Sequence, residues 1–159
     1  MNEQNIISKY VPNFITLLSL SSGFTSIRFS LNGELEIAIY LILLATIFDF
    51  FDGWFARKLK TGSNFGAELD SLSDFVSFGV APSFLIYLWS THTLGSLGWG
   101  ATLFFVICSA LRLARFTTDI YITNKPINDN EYFVGLPSPA AAGLILLPLF
   151  IFFEFDFDF

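Results

Sequence analysis

Long apolar stretches separated by short polar segments run through the chain. Each approaches the length of about 20 mostly apolar residues that a helix needs to cross a bilayer. We therefore predict five membrane-spanning helices. Their approximate bounds are 14–31, 35–59, 69–89, 97–116 and 137–153. The first of them is rich in serine and threonine, which suits a helix that packs closely on its neighbours or lines a polar cavity.

The segment before the first span mixes apolar and polar residues. Ile6, Ile7, Tyr10 and Val11, together with Lys9, predict a short N-terminal interfacial helix, although a frayed tail fits the pattern equally well. The segment lacks the basic region and the small-residue cleavage site of a signal peptide, so we expect no cleaved leader.

The composition supports a membrane protein. Hydrophobic residues make up 53% of the 159 residues and charged residues only 14%, too little charge to cover so large an apolar core in water. We expect an all-α, polytopic transmembrane helix bundle of about five to six spans. The net charge of -6 argues against a nucleic-acid partner. The single cysteine, Cys108, excludes a disulfide framework and is expected to be a small core residue.

Basic residues flank three of the predicted connections and predict the orientation in the membrane. Because cytoplasmic loops are enriched in lysine and arginine, the N-terminus and the segments 58–68 and 117–135 are expected in the cytoplasm. Arg28, late in the first span, is a mild exception. The residues that carry the argument are Lys9, Arg57, Lys58, Lys60, Arg112, Arg115 and Lys125.

Four aspartates stand where two predicted spans approach the same cytoplasmic connection. Asp49 and Asp52 are three residues apart on the second span, and Asp70 and Asp74 are four apart on the third, so each pair shares one helix face. A single unpaired charge within a span costs roughly 2.5–3.5 kcal/mol. We expect bound divalent cations, rather than protonation, to compensate the negative charge of the four aspartates. A ligand set made only of oxygen atoms selects Mg²⁺ or Mn²⁺.

Each aspartate taken alone has an ordinary structural explanation. Asp70, for example, has the position expected of an N-cap of the third span. Four aspartates at paired helical spacing, with Gly53 and Ala56 beside them, favour a ligand site instead. Gly66 opens the connection, and Arg57 offers a planar fork for phosphate oxygens, although an arginine there also suits a membrane anchor.

The full pattern reads D-x2-D-G-x2-A-R-x8-G-x3-D-x3-D from Asp49 to Asp74 without a departure. It resembles the signature of the CDP-alcohol phosphotransferase family. The resemblance implies an integral membrane enzyme with a two-metal site, using Mg²⁺ or Mn²⁺, that transfers a group from a CDP-linked donor to an alcohol. It implies metal binding by the four aspartates, a catalytic base at Asp74, and a pocket for the nucleotide and diphosphate. The residues implied for these roles are Asp49, Asp52, Asp70 and Asp74 for the metal, and Gly53, Ala56, Arg57 and Gly66 for the pocket.

Further stretches are similar to the phosphatidylserine synthase branch of this family. They are LDSLSDFVSFGVAPS at 69–83, LRLARFTT at 111–118 and FVGLPSPAAAG at 133–143, with the opening Pro12-Asn13 and Thr16 common to the family. The resemblance implies transfer of the phosphatidyl group from CDP-diacylglycerol to L-serine at the cytoplasmic face of the cell's inner membrane, by a homodimer. Family members generally have six spans, so residues 1–159 are interpreted as one family domain that lacks the sixth.

The acceptor is the least constrained part of the prediction. Arg112 and Arg115, near the cytoplasmic end of the fourth span, are candidates to hold a serine carboxylate or a donor phosphate, although they also suit topology anchors. Ser77 and Ser138 are candidates to line the same cavity or to make interhelical hydrogen bonds. Glycerol-phosphate or inositol-phosphate acceptors are open alternatives, as is a divalent-cation carrier without chemistry.

Overall fold

The computed structural model describes residues 3–59, 63–123 and 136–154, and of residues 3–9 and 119–123 it describes the backbone alone. Across these ranges the chain is helical, with short connections and no strand. The elements are α1 (Glu3–Leu31), α2 (Leu35–Leu59), α3 (Asn64–Asp74), a π-helix (Phe75–Val80), α4 (Ala81–Trp89), a 3₁₀-helix (Thr91–Leu94), α5 (Ser96–Thr123) and α6 (Ser138–Glu154). The all-α polytopic class predicted from the sequence is confirmed.

Three helical stretches are long and apolar enough to cross a membrane by length and composition, namely Tyr10–Leu31, Asn64–Trp89 and Ser96–Thr118. Helix α6 is apolar but shorter. Helix α2, which was also expected to span, is 25 residues long and carries Asp49 and Asp52, but it is not among the three.

Two predicted boundaries were wrong. The N-terminal segment does not form a separate interfacial helix, because α1 is continuous from Glu3 to Leu31 and includes Pro12. The third span starts at Asn64 rather than near residue 69, because the Ser63 side chain caps the helix by accepting a hydrogen bond from the backbone N–H of Gly66 at 3.0 Å. Asp70 is therefore in the interior of α3 and is not its N-cap.

Helix α1 is joined to α2 by serine hydroxyls. Ser19 donates to the backbone carbonyl of Ala45 at 3.0 Å, and Ser22 donates to that of Leu41 at 2.7 Å. Small hydroxyl side chains let two helix backbones approach closely and supply hydrogen bonds between them. The serine-rich composition of the first span is thus explained by helix packing.

Helix α1 also packs against the stretch formed by α3 and the π-helix. Here the hydrogen-bond donors lie on that stretch and the acceptors on α1. Ser73 donates to the backbone carbonyl of Thr16, and Ser77 donates to that of Ser19, both at 3.2 Å. The approach is close at Gly23, where an added Cβ would lie 2.6 Å from the Cα of Ser77. Helix α1 therefore fixes the position of α3 relative to α2.

A π-helical stretch connects α3 to α4 directly after Asp74. Its wider turn is visible in the hydrogen bond from the backbone N–H of Ala81 to the carbonyl of Val76, five residues earlier. Pro82 follows, lacks an N–H and would clash with the carbonyl four residues before it in a regular α-helix. The proline thus accounts for the irregular backbone at this point.

The other end of the bundle is closed by apolar packing. Buried residues of α2, α4 and α6 form an apolar core there. In the turn between α1 and α2, Gly33 has a φ of +80°. Only glycine adopts that backbone conformation without strain. The core residues are Ala38, Ile39, Ile42, Ala81, Leu85, Leu146 and Leu149.

Helix α5 lies at the periphery of the described bundle. Large apolar side chains on it are exposed, among them Leu97, Phe104 and Leu111. Cys108 is also exposed, so its predicted place in the core was wrong. A helix that faces lipid is as apolar as a buried one, so composition does not reveal which face packs inward.

Two glycine-to-alanine substitutions should have opposite effects on stability. Alanine is the better helix former by up to about 1 kcal/mol, and at Gly143 of α6 an added Cβ meets nothing within 4 Å. At Gly23 the Cβ overlaps the backbone of Ser77, and such overpacking typically costs about 1–3 kcal/mol. We expect Gly143→Ala to raise the thermal unfolding midpoint in detergent micelles and Gly23→Ala to lower it. Equal increases for both variants would contradict the close packing of α1 on the π-helix.

Candidate active site

Three of the predicted metal ligands come together where α2 faces α3. One carboxylate oxygen from each of Asp49, Asp70 and Asp74 lies within 4.8 Å of the others. Asp49 comes from α2, and the other two occupy successive turns of α3. The spacing of four residues places Asp70 and Asp74 on one face, and the packing of both helices on α1 turns that face toward Asp49.

Asp52 lies beside this cluster and is more deeply buried, with 4% of its surface exposed. Its side chain is next to Thr16 of α1. One oxygen of Asp52, Oδ2, and one oxygen of Asp74, Oδ1, are buried without a hydrogen-bond partner. Buried polar atoms are usually satisfied, so two unpaired carboxylate oxygens at one place indicate a site that accepts a ligand.

The donor set fits a hard divalent cation. Among the described residues, other aspartates of the same cluster are the charged groups that repel the carboxylates of Asp52, Asp70 and Asp74. Clustered carboxylates without a basic partner repel one another, and a cation removes this repulsion. Oxygen-only coordination is typical of Mg²⁺ and Mn²⁺. Three of the acidic residues are thus placed to hold a metal ion.

The residues predicted for a nucleotide and diphosphate pocket lie on α2 and α3, the helices that carry the aspartates. Gly53 follows Asp52 on α2, with Ala56 half-buried and Arg57 exposed one turn further on. Gly66 lies in the first turn of α3, where an added Cβ would stand 3.1 Å from the Asn13 side-chain oxygen. Lys58 stacks over the Trp54 ring, with its Nζ 4.3 Å from the ring centroid. Lys60 and Lys125 lie outside the described residues.

The two arginines of α5 have different surroundings. Arg112 donates hydrogen bonds to the backbone carbonyl of Leu136 and to the hydroxyl oxygen of Ser138, both at the start of α6. Ser138 is buried. Arg115 is exposed. Arg112 thus links α5 to α6.

Several residues around the site have roles that the sequence did not indicate. Ser73, between Asp70 and Asp74 on α3, holds that helix against α1. Asn13 packs on Gly66, a contact between residues distant in the chain. Ser77, for which cavity lining and interhelical hydrogen bonding were both predicted, makes an interhelical hydrogen bond. Serines are abundant in this sequence, so no local signal separates those that join helices from the others.

The chain belongs to the CDP-alcohol phosphatidyltransferase family, whose model matches residues 9–157. It is 43% identical over 143 residues to a CDP-diacylglycerol–serine O-phosphatidyltransferase of Mycobacterium leprae (87% of this chain, 47% of the relative). It is 40% identical over 136 residues to the enzyme of that name in Helicobacter pylori strain J99 (86% and 55%).

An archaeal protein extends the comparison. The chain is 40% identical over 153 residues to the archaetidylserine synthase of Methanothermobacter thermautotrophicus, covering 89% of this chain and 59% of the relative. The chain thus spans about half the length of the curated relatives it matches. The matched part includes every residue of the carboxylate cluster.

Removing one carboxylate from the cluster should weaken metal binding. Asp70→Asn keeps the shape of the side chain but removes a negative charge and an anionic ligand oxygen. We expect Mn²⁺ affinity, measured by titration calorimetry in micelles, to fall roughly tenfold or more. In EDTA the same variant should unfold at a higher temperature than the unsubstituted protein, because repulsion with Asp49 and Asp52 is removed.

Glu68→Gln is the matched control, since Glu68 is exposed on the same helix and two residues away. It changes the net charge equally and should leave both measurements unchanged. Equal losses of Mn²⁺ affinity in the two variants would show that general charge, and not the cluster, attracts the ion.

Proposed function

We propose that this protein transfers the phosphatidyl group of CDP-diacylglycerol to the hydroxyl of L-serine, giving phosphatidylserine and CMP. The observation that carries the proposal is the convergence of Asp49, Asp70 and Asp74 within the part of the chain that matches the family. The names of the bacterial relatives support serine as the acceptor. The same site would be metal-dependent, with Asp49, Asp52, Asp70 and Asp74 as the ligands of two Mg²⁺ or Mn²⁺ ions.

The bound ions would neutralise the diphosphate and stabilise the negative charge that develops on the leaving CMP. The protein's own part in the reaction begins with Asp74, whose Oδ1 is buried and unpaired. In the proposed step this carboxylate takes the proton of the serine hydroxyl, and the serine oxygen attacks the phosphorus that carries diacylglycerol. The bond from that phosphorus to the bridging oxygen breaks, and CMP leaves with the electron pair.

Binding of the donor is assigned to the corner formed by α2 and α3. Gly53, Ala56 and Gly66 present little side-chain bulk there, so a nucleotide can approach the backbone. The exposed guanidinium of Arg57 is suited to the phosphate oxygens. The acyl chains would stay in the bilayer, which suits a site on α3, the start of a helical stretch long and apolar enough to cross it.

The acceptor end of the site is assigned to α5 and the start of α6. Arg115 is exposed and is the candidate for pairing with the serine carboxylate, whereas the Arg112 guanidinium is already hydrogen-bonded. The basic residues near the aspartates favour a site on the cytoplasmic face of the cell membrane. A homodimer is the expected assembly.

A reconstituted assay tests the proposed reaction. Purified protein in mixed micelles is given CDP-diacylglycerol, labelled L-serine and Mn²⁺ or Mg²⁺, and the products are scored as CMP and labelled phosphatidylserine. We expect both products in equal amounts and none in EDTA. Parallel reactions contain glycerol 3-phosphate or inositol phosphate. Turnover with one of these and none with serine would assign another acceptor, and metal flux into vesicles without CMP release would indicate a carrier.

Substitution of the base should separate chemistry from donor binding. Asp74→Asn removes the proton acceptor, and loss of general base catalysis typically costs about 10²–10⁴ in rate. We expect kcat to fall by at least the lower figure while the affinity for CDP-diacylglycerol stays within a few-fold. Asp49→Asn is the comparison, and it should weaken donor binding. Equal losses of donor affinity in both variants would contradict the separate role of Asp74.

A further inference from the structure

Aromatic side chains with a polar group gather at one end of the bundle. The Tyr87 ring of α4 meets the Trp99 ring of α5 edge to face, with the ring centroids 5.3 Å apart. Trp89, the last residue of α4, meets Phe152 of α6 in a similar geometry at 5.5 Å. Trp99 is 44% exposed, and Tyr87 and Trp89 are partly exposed. Tyrosine and tryptophan carry a polar group on a large apolar ring, and membrane proteins concentrate them where hydrocarbon meets headgroups.

Arg28 lies at the same end, in the last turn of α1. Its neighbours in the chain, Ile27 and Phe29, pack against the same apolar core as Leu35 and Trp89. The Arg28 side chain is exposed and forms no ion pair with any described residue. It was the exception to the distribution of basic residues that predicts the orientation. An arginine can lay its apolar stem along a helix surface while its guanidinium reaches the headgroup layer.

The opposite end of the bundle has its own tryptophan. Trp54 is 39% exposed near the end of α2, and the Lys58 Nζ lies 4.3 Å from its ring centroid. At about 1.5 Å per residue, the segment from Leu35 to Trp54 is about 29 Å long, close to the hydrocarbon thickness of about 30 Å. The exposed side chains between these two residues, apart from Glu36, are apolar or aromatic. The two ends of α2 are thus separated by the width of a bilayer core.

We propose that Arg28, Tyr87, Trp89 and Trp99 form a belt that binds the headgroup layer of one phospholipid leaflet, with the Arg28 guanidinium against a lipid phosphate. We call these four residues the distal belt. Charge complementarity selects this occupant, because a guanidinium beside amphipathic rings fits an anionic phosphate at the edge of the hydrocarbon. The same charge set among acyl chains would be costly.

The distal belt also determines how α2 lies in the membrane. With the belt at one interface, the length of α2 places Trp54 at the other. Helix α2 then crosses the hydrocarbon layer, although it is not one of the three stretches that qualify by length and composition. This assignment concerns the lipid around the protein and goes beyond the proposed reaction, on which it does not depend.

The depth of each tryptophan in a bilayer tests the proposal. The chain has three tryptophans, so Trp54→Phe with Trp89→Phe leaves Trp99 as the sole reporter, and Trp89→Phe with Trp99→Phe leaves Trp54. Each variant is placed in phosphatidylcholine vesicles whose acyl chains carry bromine either close to the headgroup or close to the chain end. We expect the shallow bromines to quench both reporters more strongly than the deep ones.

Substitutions at Arg28 test the contact with phosphate while Trp99 reports the depth. Arg28→Leu removes the cation, so Trp99 should move deeper, with stronger quenching by the deep bromines and an emission maximum at shorter wavelength. Arg28→Lys keeps the charge and should leave both unchanged. Ser21→Ala is the matched control, since Ser21 is exposed two turns earlier on the same helix and its hydroxyl bonds only to the Leu17 carbonyl. It should also change neither.

Each remaining outcome overturns a defined statement. Stronger quenching of Trp99 by the deep bromines in the unsubstituted background would refute the distal belt. Absence of quenching at both depths would show that protein, such as a second copy of the chain, covers this surface. A lower thermal unfolding midpoint in Arg28→Leu with no change in depth would assign Arg28 to the end of α1 alone. The depths are measured without substrate, so a protein that releases no CMP would refute the proposed function and leave this inference intact.

Discussion

Repulsion among the aspartates is the constraint around which this fold is organised. Two ionised carboxylates 4.8 Å apart repel by about 3.5 kcal/mol at an effective dielectric constant of about 20, and Asp49, Asp70 and Asp74 lie within that distance of one another. No ion pair among the described residues offsets this cost, so the packing of the helices must hold the side chains together until a cation binds. The packing of the helices therefore holds the aspartates in an arrangement that their mutual repulsion opposes.

Helix α1 supplies the necessary packing. It contacts α2, α3, the π-helix and α4. Its links to α2 and to α3 are serine hydroxyls bonded to backbone carbonyls, which hold two backbones at a fixed short distance. Ser73, between Asp70 and Asp74, is one of these links. The carboxylates thus lie on helices whose relative position is fixed by hydrogen bonds to α1, a helix that contributes no carboxylate to the cluster.

Much of this arrangement could be predicted from local patterns. Three of the five predicted spans followed from apolar length, whereas α6 is shorter and α2 is not among the three. The shared face of Asp70 and Asp74 followed from helical spacing. The start of α3 was missed because Ser63 lies in a polar connection with several candidate caps. The exposed position of Cys108 was missed because lipid-facing and buried positions are equally apolar. The link from Arg112 to Ser138 joins residues 26 positions apart, and no periodicity in one sequence indicates such a contact.

The two halves of the site differ in how they are built, and this bears on specificity. The residues proposed to bind the donor lie on α2 and α3 and belong to one continuous motif from Asp49 to Asp74. The proposed acceptor half lies on α5 and the start of α6, which come from a distant part of the chain. Helix α5 meets α3 between the two aspartates of that helix, where the Thr117 hydroxyl lies 3.3 Å from the Ser71 hydroxyl. Under the proposed function, donor and acceptor would thus be bound by separate segments of the chain that meet at α3.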